Sequence, residues 1–141
     1  AYPKSKNKTE AVKKSLESLE FSGLYPKKNL LAKHLTLADK KILEVSRALV
    51  NSPAIILLDE VMAGLNDKEQ DQAISLIHKI QDKNVSIVVI EHIFKIIMKV
   101  TSKVVVLDHG IKIAEGSPYD IINDESVIKA YFGEDHDITQ N

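Results

Sequence analysis

The sequence predicts an α/β fold, with parallel strands flanked by helices, and three observations carry that prediction. Ala54 to Leu58 form a short, uninterrupted apolar run that stops at Asp59-Glu60. Val85 to Ile90 form a second apolar run, β-branched nearly throughout, that stops at Glu91-His92. Between them, residues 67 to 82 show a helical pattern with Ala73, Ile74, Ile77 and Ile80 on one face. Short apolar runs of this kind suit strands buried on both faces of a parallel sheet.

Composition narrows the class. With 141 residues, 44% of them hydrophobic, the chain can bury one core, and one domain is the prior. A formal charge of −1 gives no global attraction to nucleic acid or to an anionic membrane, so no nucleic-acid partner is expected. The absence of cysteine excludes a disulfide framework and a thiolate metal site. No apolar stretch reaches the length of a membrane span, and the first residues do not read as a signal peptide. A soluble intracellular α/β protein without internal repeats is the base expectation.

Residues 1 to 9 are polar and lysine-rich, as befits a frayed terminus or a cut linker rather than a nucleic-acid arm. Thr9 precedes a helical pattern in Ala11, Val12, Ser15, Leu16 and Leu19, with Gly23 as its stop. Pro26 forbids a simple continuation, and residues 25 to 34 read as an irregular connection. The next helix opens at Leu35-Thr36-Leu37-Ala38-Asp39 and runs to about Asn51, with Leu37, Leu43, Val45, Ala48 and Leu49 as its buried stripe. Thr36 suits an N-cap and Asp39 the third helical position, where acid complements the helix dipole.

After the second strand, a helix from Phe94 to Val100 leads to a third strand at Lys103 to Leu107. Asp108-His109-Gly110 turns the chain into an antiparallel strand at Ile111 to Gly116, with Gly110 in the left-handed position. Ser117-Pro118 starts a short helix as N-cap and first residue, and a last helix spans about Ser126 to Phe132 and ends at Gly133. His78 reads as a solvated helix residue and His109 as an exposed turn residue. Asp135-His136-Asp137 lies in a polar tail and is not read as a metal site.

Asp59 and Glu60 are the strongest candidates for chemistry. Ligands of open parallel sheets bind beyond the C-terminal ends of the strands, where this pair falls. A hard cation wants oxygen ligands and a general base must reach its nucleophile, so adjacent carboxylates can serve both needs. The bland alternative is a strand that ends in a solvated acidic turn. His92 stands at the equivalent end of the second strand, where a ring nitrogen could donate to an oxyanion while the other takes a second partner. A purely structural histidine is its alternative.

The order of these parts resembles the C-terminal half of an ATPase domain of the ATP-binding cassette (ABC) family. Residues 54 to 60 resemble a Walker B motif with its adjoining glutamate, and Ala63-Gly64-Leu65-Asn66 resembles the D-loop. Leu35-Thr36 starts a segment similar to the family's signature, although Leu37-Ala38-Asp39 departs from its usual Gly-Gly-Gln. Met62 to Asn66, Ile90-Glu91-His92, Val106-Leu107-Asp108 with Gly110, Ile113-Ala114-Glu115-Gly116 and the ending Val127 to Gly133 look most like the branched-chain amino-acid (Liv-type) import ATPases. Val61 replaces the usual proline after the acidic pair, and Ile93 replaces the aspartate that usually follows the switch histidine.

The resemblance implies a P-loop (RecA-like) core with a C-terminal antiparallel hairpin. Residues 1–34 would be a remnant of the helical subdomain and its connection, 35–133 the C-terminal part of the core, and 134–141 a tail. ATP and Mg²⁺ would be the cofactors of the parent protein. Asp59 would hold Mg²⁺ through water, Glu60 would polarise the attacking water, and His92 would contact the γ-phosphate. Leu35, Thr36, Leu37, Ala38 and Asp39 would meet the nucleotide of the opposite subunit, and the D-loop would cross the dimer interface.

Implied partners are a second ATP-binding subunit, identical or not, and transmembrane permease subunits, with the protein peripheral on the cytoplasmic face of the cell membrane. One part is missing. None of the five glycines is followed by lysine and a hydroxyl residue, so no phosphate-cradling P-loop occurs. The expectation is therefore a fragment without turnover of its own; the alternative is a non-catalytic interaction module that does not bind nucleotide.

Overall fold

The computed structural model describes residues 7 to 132, which fall into two compact units divided between Glu91 and His92. The first unit begins with helix α1, Lys8–Phe21. Its cap is Asn7, whose side chain accepts from the Glu10 backbone N–H at 2.8 Å, so the helix starts before Thr9 rather than after it. The helix ends as expected at Gly23, whose φ of +80° admits the left-handed turn. Leu24 N–H then reaches the Leu19 carbonyl and Gly23 N–H the Glu20 carbonyl, the paired bonds of a Schellman stop. Two 3₁₀ turns, Tyr25–Lys27 and Ala32–His34, occupy the connection.

Helix α2, Leu37–Leu49, carries the capping box read from the sequence, with Thr36 accepting from the Asp39 N–H. Its buried stripe differs from the expected one. Val45 is buried, but Leu37 and Ala48 are exposed, Leu43 and Leu49 are half-buried, and the other buried positions are Ala38 and Ser46. The physical reason is the contact with α1, to which small hydroxyl residues contribute. Ser18 Oγ donates to the Ser46 carbonyl at 2.7 Å, and Ser46 Oγ lies 2.7 Å from Ser22 Oγ and 2.8 Å from the Ile42 carbonyl.

Strand β1, Ile55–Asp59, pairs in parallel with β2, Ser86–Ile90, and Leu57 stands opposite Val88. Helix α3, Asp67–Gln81, connects them and buries Ala73, Ile74, Leu76, Ile77 and Ile80, its expected face and one more leucine. Ile42 and Val45 of α2, Val61, and Ala73, Leu76 and Ile77 of α3 line one small void, so these elements meet around Val61. His78 is exposed, as read from the sequence, with its Nδ1 3.1 Å from Gln81 Oε1.

The expectation that both strands are buried on two faces is corrected. Ile56 and Leu58 are buried, but Ile55, Leu57, Val88 and Ile90 all project from the opposite, exposed face. An apolar run records the capacity to be covered; the cover itself comes from elements elsewhere in a fold. Among the described residues β1 and β2 form a two-stranded sheet.

The second unit holds helix α4, Phe94–Val100, strands β3, Val104–Asp108, and β4, Ile111–Gly116, and helices α5, Pro118–Ile122, and α6, Glu125–Phe132. The strands form an antiparallel hairpin with an irregularity between Val106 and Leu107. His109 (φ +47°) and Gly110 (φ +81°) are both left-handed, the requirement of a two-residue turn that follows the strand twist. Ser117 and Asp120 make a second capping box around Pro118. Ile96, Val100, Ile121 and Val127 are buried in this unit. Lys103 and Lys112 bracket Glu115 and hold its carboxyl down to about 2. Among the described residues no helix is long and apolar enough to cross a membrane. Gly133, the 134–141 tail and the Asp135-His136-Asp137 triplet lie outside the described residues.

Candidate functional site

Asp59 is the last residue of β1 and lies on the exposed face, two residues beyond Leu57 and opposite Ile90. Glu60 follows with φ +45°, a left-handed backbone that is unusual for a residue with a Cβ. That conformation breaks the alternation of the strand immediately after Asp59. It is held on two sides. Glu60 N–H donates to the Ile90 carbonyl at 2.9 Å, continuing the β1–β2 ladder one step, and Lys41 Nζ of α2 donates to the Glu60 carbonyl at 3.3 Å.

The four residues Ala63 to Asn66 lead directly into α3. Ala63 N–H returns to the Glu60 carbonyl at 3.1 Å. Gly64 has φ +77°, and a Cβ built there would meet Leu37 Cδ2 at 3.1 Å. Asn66 is the N-cap of α3: it accepts from Glu69 N–H while the Glu69 carboxylate accepts from Asn66 N–H, both at 3.0 Å. The structure therefore brings the acidic pair, the 63–66 segment and the start of α2 into one neighbourhood. Val61, where the sequence lacks a proline, is buried at the centre of it.

At the α2 N-terminus the Asp39 carboxylate is part-buried and closely paired. Lys27 Nζ lies 2.7 Å and 2.5 Å from its two oxygens, and Thr36 N–H donates to it at 3.4 Å. Burial alone would raise the Asp39 carboxyl, but the Lys27 ammonium and the hydrogen bonds with Thr36 hold it below the usual carboxylate range. Two of the backbone N–H groups in this first turn, those of Thr36 and Asp39, are thus spent inside the capping box. Ala38 is buried. Negative charge stands where an anion would approach a helix N-terminus.

Glu91 was not singled out for a role by its sequence position, although it sits between two flagged residues. Its Oε1 accepts from Met62 N–H at 3.2 Å, and Met62 is fully buried. Glu91 Oε2 is buried with no hydrogen-bond partner among the described residues. His92 opens the second unit and is exposed. Its carbonyl accepts from the Tyr131 hydroxyl of α6, and the Tyr131 ring meets Phe94 edge-on with centroids 5.0 Å apart. Tyr131 was legible only as part of a chain ending, not as an anchor for the histidine's backbone.

A resident metal is tested by these donors. Among the described residues no group of three or more His, Cys, Asp or Glu side chains is placed to hold an ion alone. Mg²⁺ needs no such cage: it keeps several waters and takes one or two carboxylates plus phosphate oxygens. The exposed Asp59 carboxylate at the strand end fits that partial role.

Comparison with known proteins points the same way. Residues 112–137 match the model of the branched-chain amino acid ATP-binding cassette transporter family. Over 127 residues, 89% of the chain, it is 37% identical to LivG of Salmonella typhimurium, a high-affinity branched-chain amino acid transport ATP-binding protein, and covers 50% of it. It is 36% identical over 130 residues to the corresponding Pseudomonas aeruginosa protein BraF, spanning 92% of the chain and 51% of that protein. The fold matches the crystal structure of the ADP conformation of MJ1267, an ATP-binding cassette of an ABC transporter. That match has a TM-score of 0.82 at 26% identity and covers 92% of this chain and 52% of that one. The chain spans about half the length of the curated relatives it matches. In sequence and fold the chain resembles the C-terminal part of ATP-binding cassette proteins of the branched-chain amino acid transporter type.

Proposed function

We propose that this chain is the carboxylate-bearing half of an ATP-binding subunit that couples ATP hydrolysis to solute transport, with amino-acid import as the transport it serves. The observation that carries the reading is the acidic pair at the mouth of β1, with Glu60 turned out of the strand by its left-handed backbone. The names of the relatives, transport ATP-binding proteins for branched-chain amino acids, support the substrate class.

In this reading Asp59 would hold Mg²⁺ through water, and Glu60 accepts the proton of the attacking water at its carboxylate. A positioned base of this kind contributes about 10²–10⁴-fold. Mg²⁺, when bound with ATP, neutralises charge on the phosphate oxygens. His92 donates a ring N–H to the γ-phosphate. Ala63 to Asn66 cross to a second ATP-binding subunit, and Leu35, Thr36, Leu37, Ala38 and Asp39 face that subunit's nucleotide. Residues 1–34 belong to a helical subdomain and 35–133 to the ATPase core. Transmembrane permease subunits anchor the assembly on the cytoplasmic face of the membrane.

One observation favours the second reading, a module that does not hydrolyse nucleotide. The Asp39 carboxylate, its Lys27 partner and the closed capping box leave the α2 N-terminus poorly suited to receive phosphate. The two readings separate by experiment. The 141-residue chain alone is expected to show no ATP-Mg²⁺ binding by calorimetry at millimolar nucleotide and no turnover. Joined to the half of the Salmonella relative that this chain does not cover, it is expected to hydrolyse ATP and to lose that activity on Glu60→Gln. Hydrolysis indifferent to Glu60→Gln, or none from the joined protein, would favour the non-catalytic module.

A further inference from the structure

The acidic pair is held by a residue that the reading above does not use. We propose that Glu91 is a positioning residue for Glu60, clamping the turn that follows β1 from the end of β2. This deepens the proposed function and rests on it for its catalytic meaning, but its structural content stands on geometry alone.

Two consecutive residues at the end of β2 hold the turn that follows β1. The Ile90 carbonyl accepts from Glu60 N–H at 2.9 Å. One residue on, where the strand has ended, the Glu91 carboxylate accepts from Met62 N–H at 3.2 Å. The side chain thereby takes the place of the next ladder carbonyl. Between the two clamped N–H groups lies the left-handed backbone of Glu60, φ +45°. Such a conformation in a residue with a Cβ persists only where its surroundings over-determine it. Met62, at 0% exposure, supplies the second fixed point. With both N–H groups tied, the direction in which the Glu60 side chain leaves the sheet is set.

The cost side of Glu91 supports a positioning role. A buried acceptor oxygen without a partner is destabilising, and Oε2 is in that state among the described residues. Packing alone would be served better by an apolar side chain at this position. What an apolar side chain lacks is an acceptor for Met62 N–H.

The test uses the full chain, and no nucleotide. Hydrogen exchange of the Met62 amide is measured by NMR, with the backbone carbon shifts of Glu60 as the signature of its left-handed state and the Ile80 amide as a core control. In Glu91→Ala, Met62 protection is expected to fall about tenfold or more, as for the loss of a hydrogen bond to a charged group. Glu60 leaves the left-handed region and Ile80 is unchanged. Glu91→Gln, which keeps an acceptor at the same reach, restores both. Should Glu91→Ala not fold, Glu91→Asp, one methylene shorter, is expected to show the same local loss.

Retention of Met62 protection and of the Glu60 shifts in Glu91→Ala or Glu91→Asp would overturn the proposal. So would an equal loss at Ile80, which would make Glu91 a general support of the fold, or a failure of Gln to rescue. Because none of these readouts needs ATP, a failed ATPase assay leaves them standing, and their failure leaves the ATPase reading untouched.

Discussion

Gly64→Ala separates the conformational demand of the 63–66 turn from its packing demand. The glycine is left-handed, φ +77°, and its added Cβ would meet Leu37 Cδ2 at 3.1 Å. Forcing an L-residue into that backbone costs about 1–2 kcal/mol. Alanine restricts the unfolded chain and returns about 0.4–1 kcal/mol of that. The contact adds little, because Cδ2 is the far end of a flexible side chain that is 50% exposed and can yield. A net destabilisation of about 1 kcal/mol follows from these two opposing effects. The assay is urea unfolding followed by circular dichroism on the wild type, Gly64→Ala, Leu37→Ala and the double variant. The midpoint should fall in Gly64→Ala with the slope unchanged, and the same penalty should persist in the Leu37→Ala background. Gly64→Asn should cost less than alanine, since asparagine tolerates the left-handed region. A penalty that vanishes once Leu37 is truncated would mean that crowding, not φ, keeps glycine there. An unchanged or raised midpoint would refute the left-handed requirement altogether.

Two further outcomes follow from burial and from charge. Ile80→Ala, at a fully buried position on the inner face of α3, should lower stability by about 2–5 kcal/mol in the same unfolding assay. Because Asp39 is held below its ordinary carboxyl range, its contribution is present above the unfolded value of about 4 and is lost as pH falls through the lower folded one. The urea midpoint should therefore fall below about pH 4, and Lys27→Met should flatten that part of the acid limb.

Much of the local structure was legible because its signals are local. Thr36 with Asp39, Ser117 with Pro118, and Gly23 and Gly110 announce caps and turns within a few residues of themselves, and the structure places all of them so. The face of α3 was legible because Ala73, Ile74, Ile77 and Ile80 repeat at the helical period. The stripe of α2 was not, because its contact with α1 runs through Ser18, Ser22 and Ser46, and buried serines are invisible to a hydrophobic pattern. Of the candidate site, Asp59 and Glu60 stood out because the carboxylates interrupt an apolar run. Glu91 did not, since the role proposed for it depends on which N–H group lies across the sheet, and register is not written in one strand alone. The left-handed state of Glu60 was equally hidden, as glutamate carries no preference for it.

The exposed face of the β1–β2 sheet gives a last prediction. Ile55, Leu57, Val88 and Ile90 are 55%, 73%, 47% and 60% exposed, and the parallel register sets Leu57 beside Val88. Full burial of a side chain of this kind stabilises by about 1.5–3 kcal/mol, so four that are 47–73% exposed forgo about 5 kcal/mol together. That is a large fraction of the stability of an ordinary domain. A second copy of the chain offers the same face and can recover part of this by pairing symmetrically. Sedimentation velocity should therefore show association that grows with concentration. Leu57→Lys should abolish the association while leaving the unfolding midpoint of the dilute chain nearly unchanged, because a side chain 73% exposed holds little of the monomer's packing. Were the wild type to stay monomeric at all concentrations, the apolar face would not be a self-association surface. Were Leu57→Lys to associate as strongly, the contact would lie elsewhere. Asp59 bears on the orientation of such a pair: it ends the same face as Leu57. Two copies stacked strand end to strand end would bring like carboxylates together, so the charge favours an arrangement in which the acidic ends lie apart.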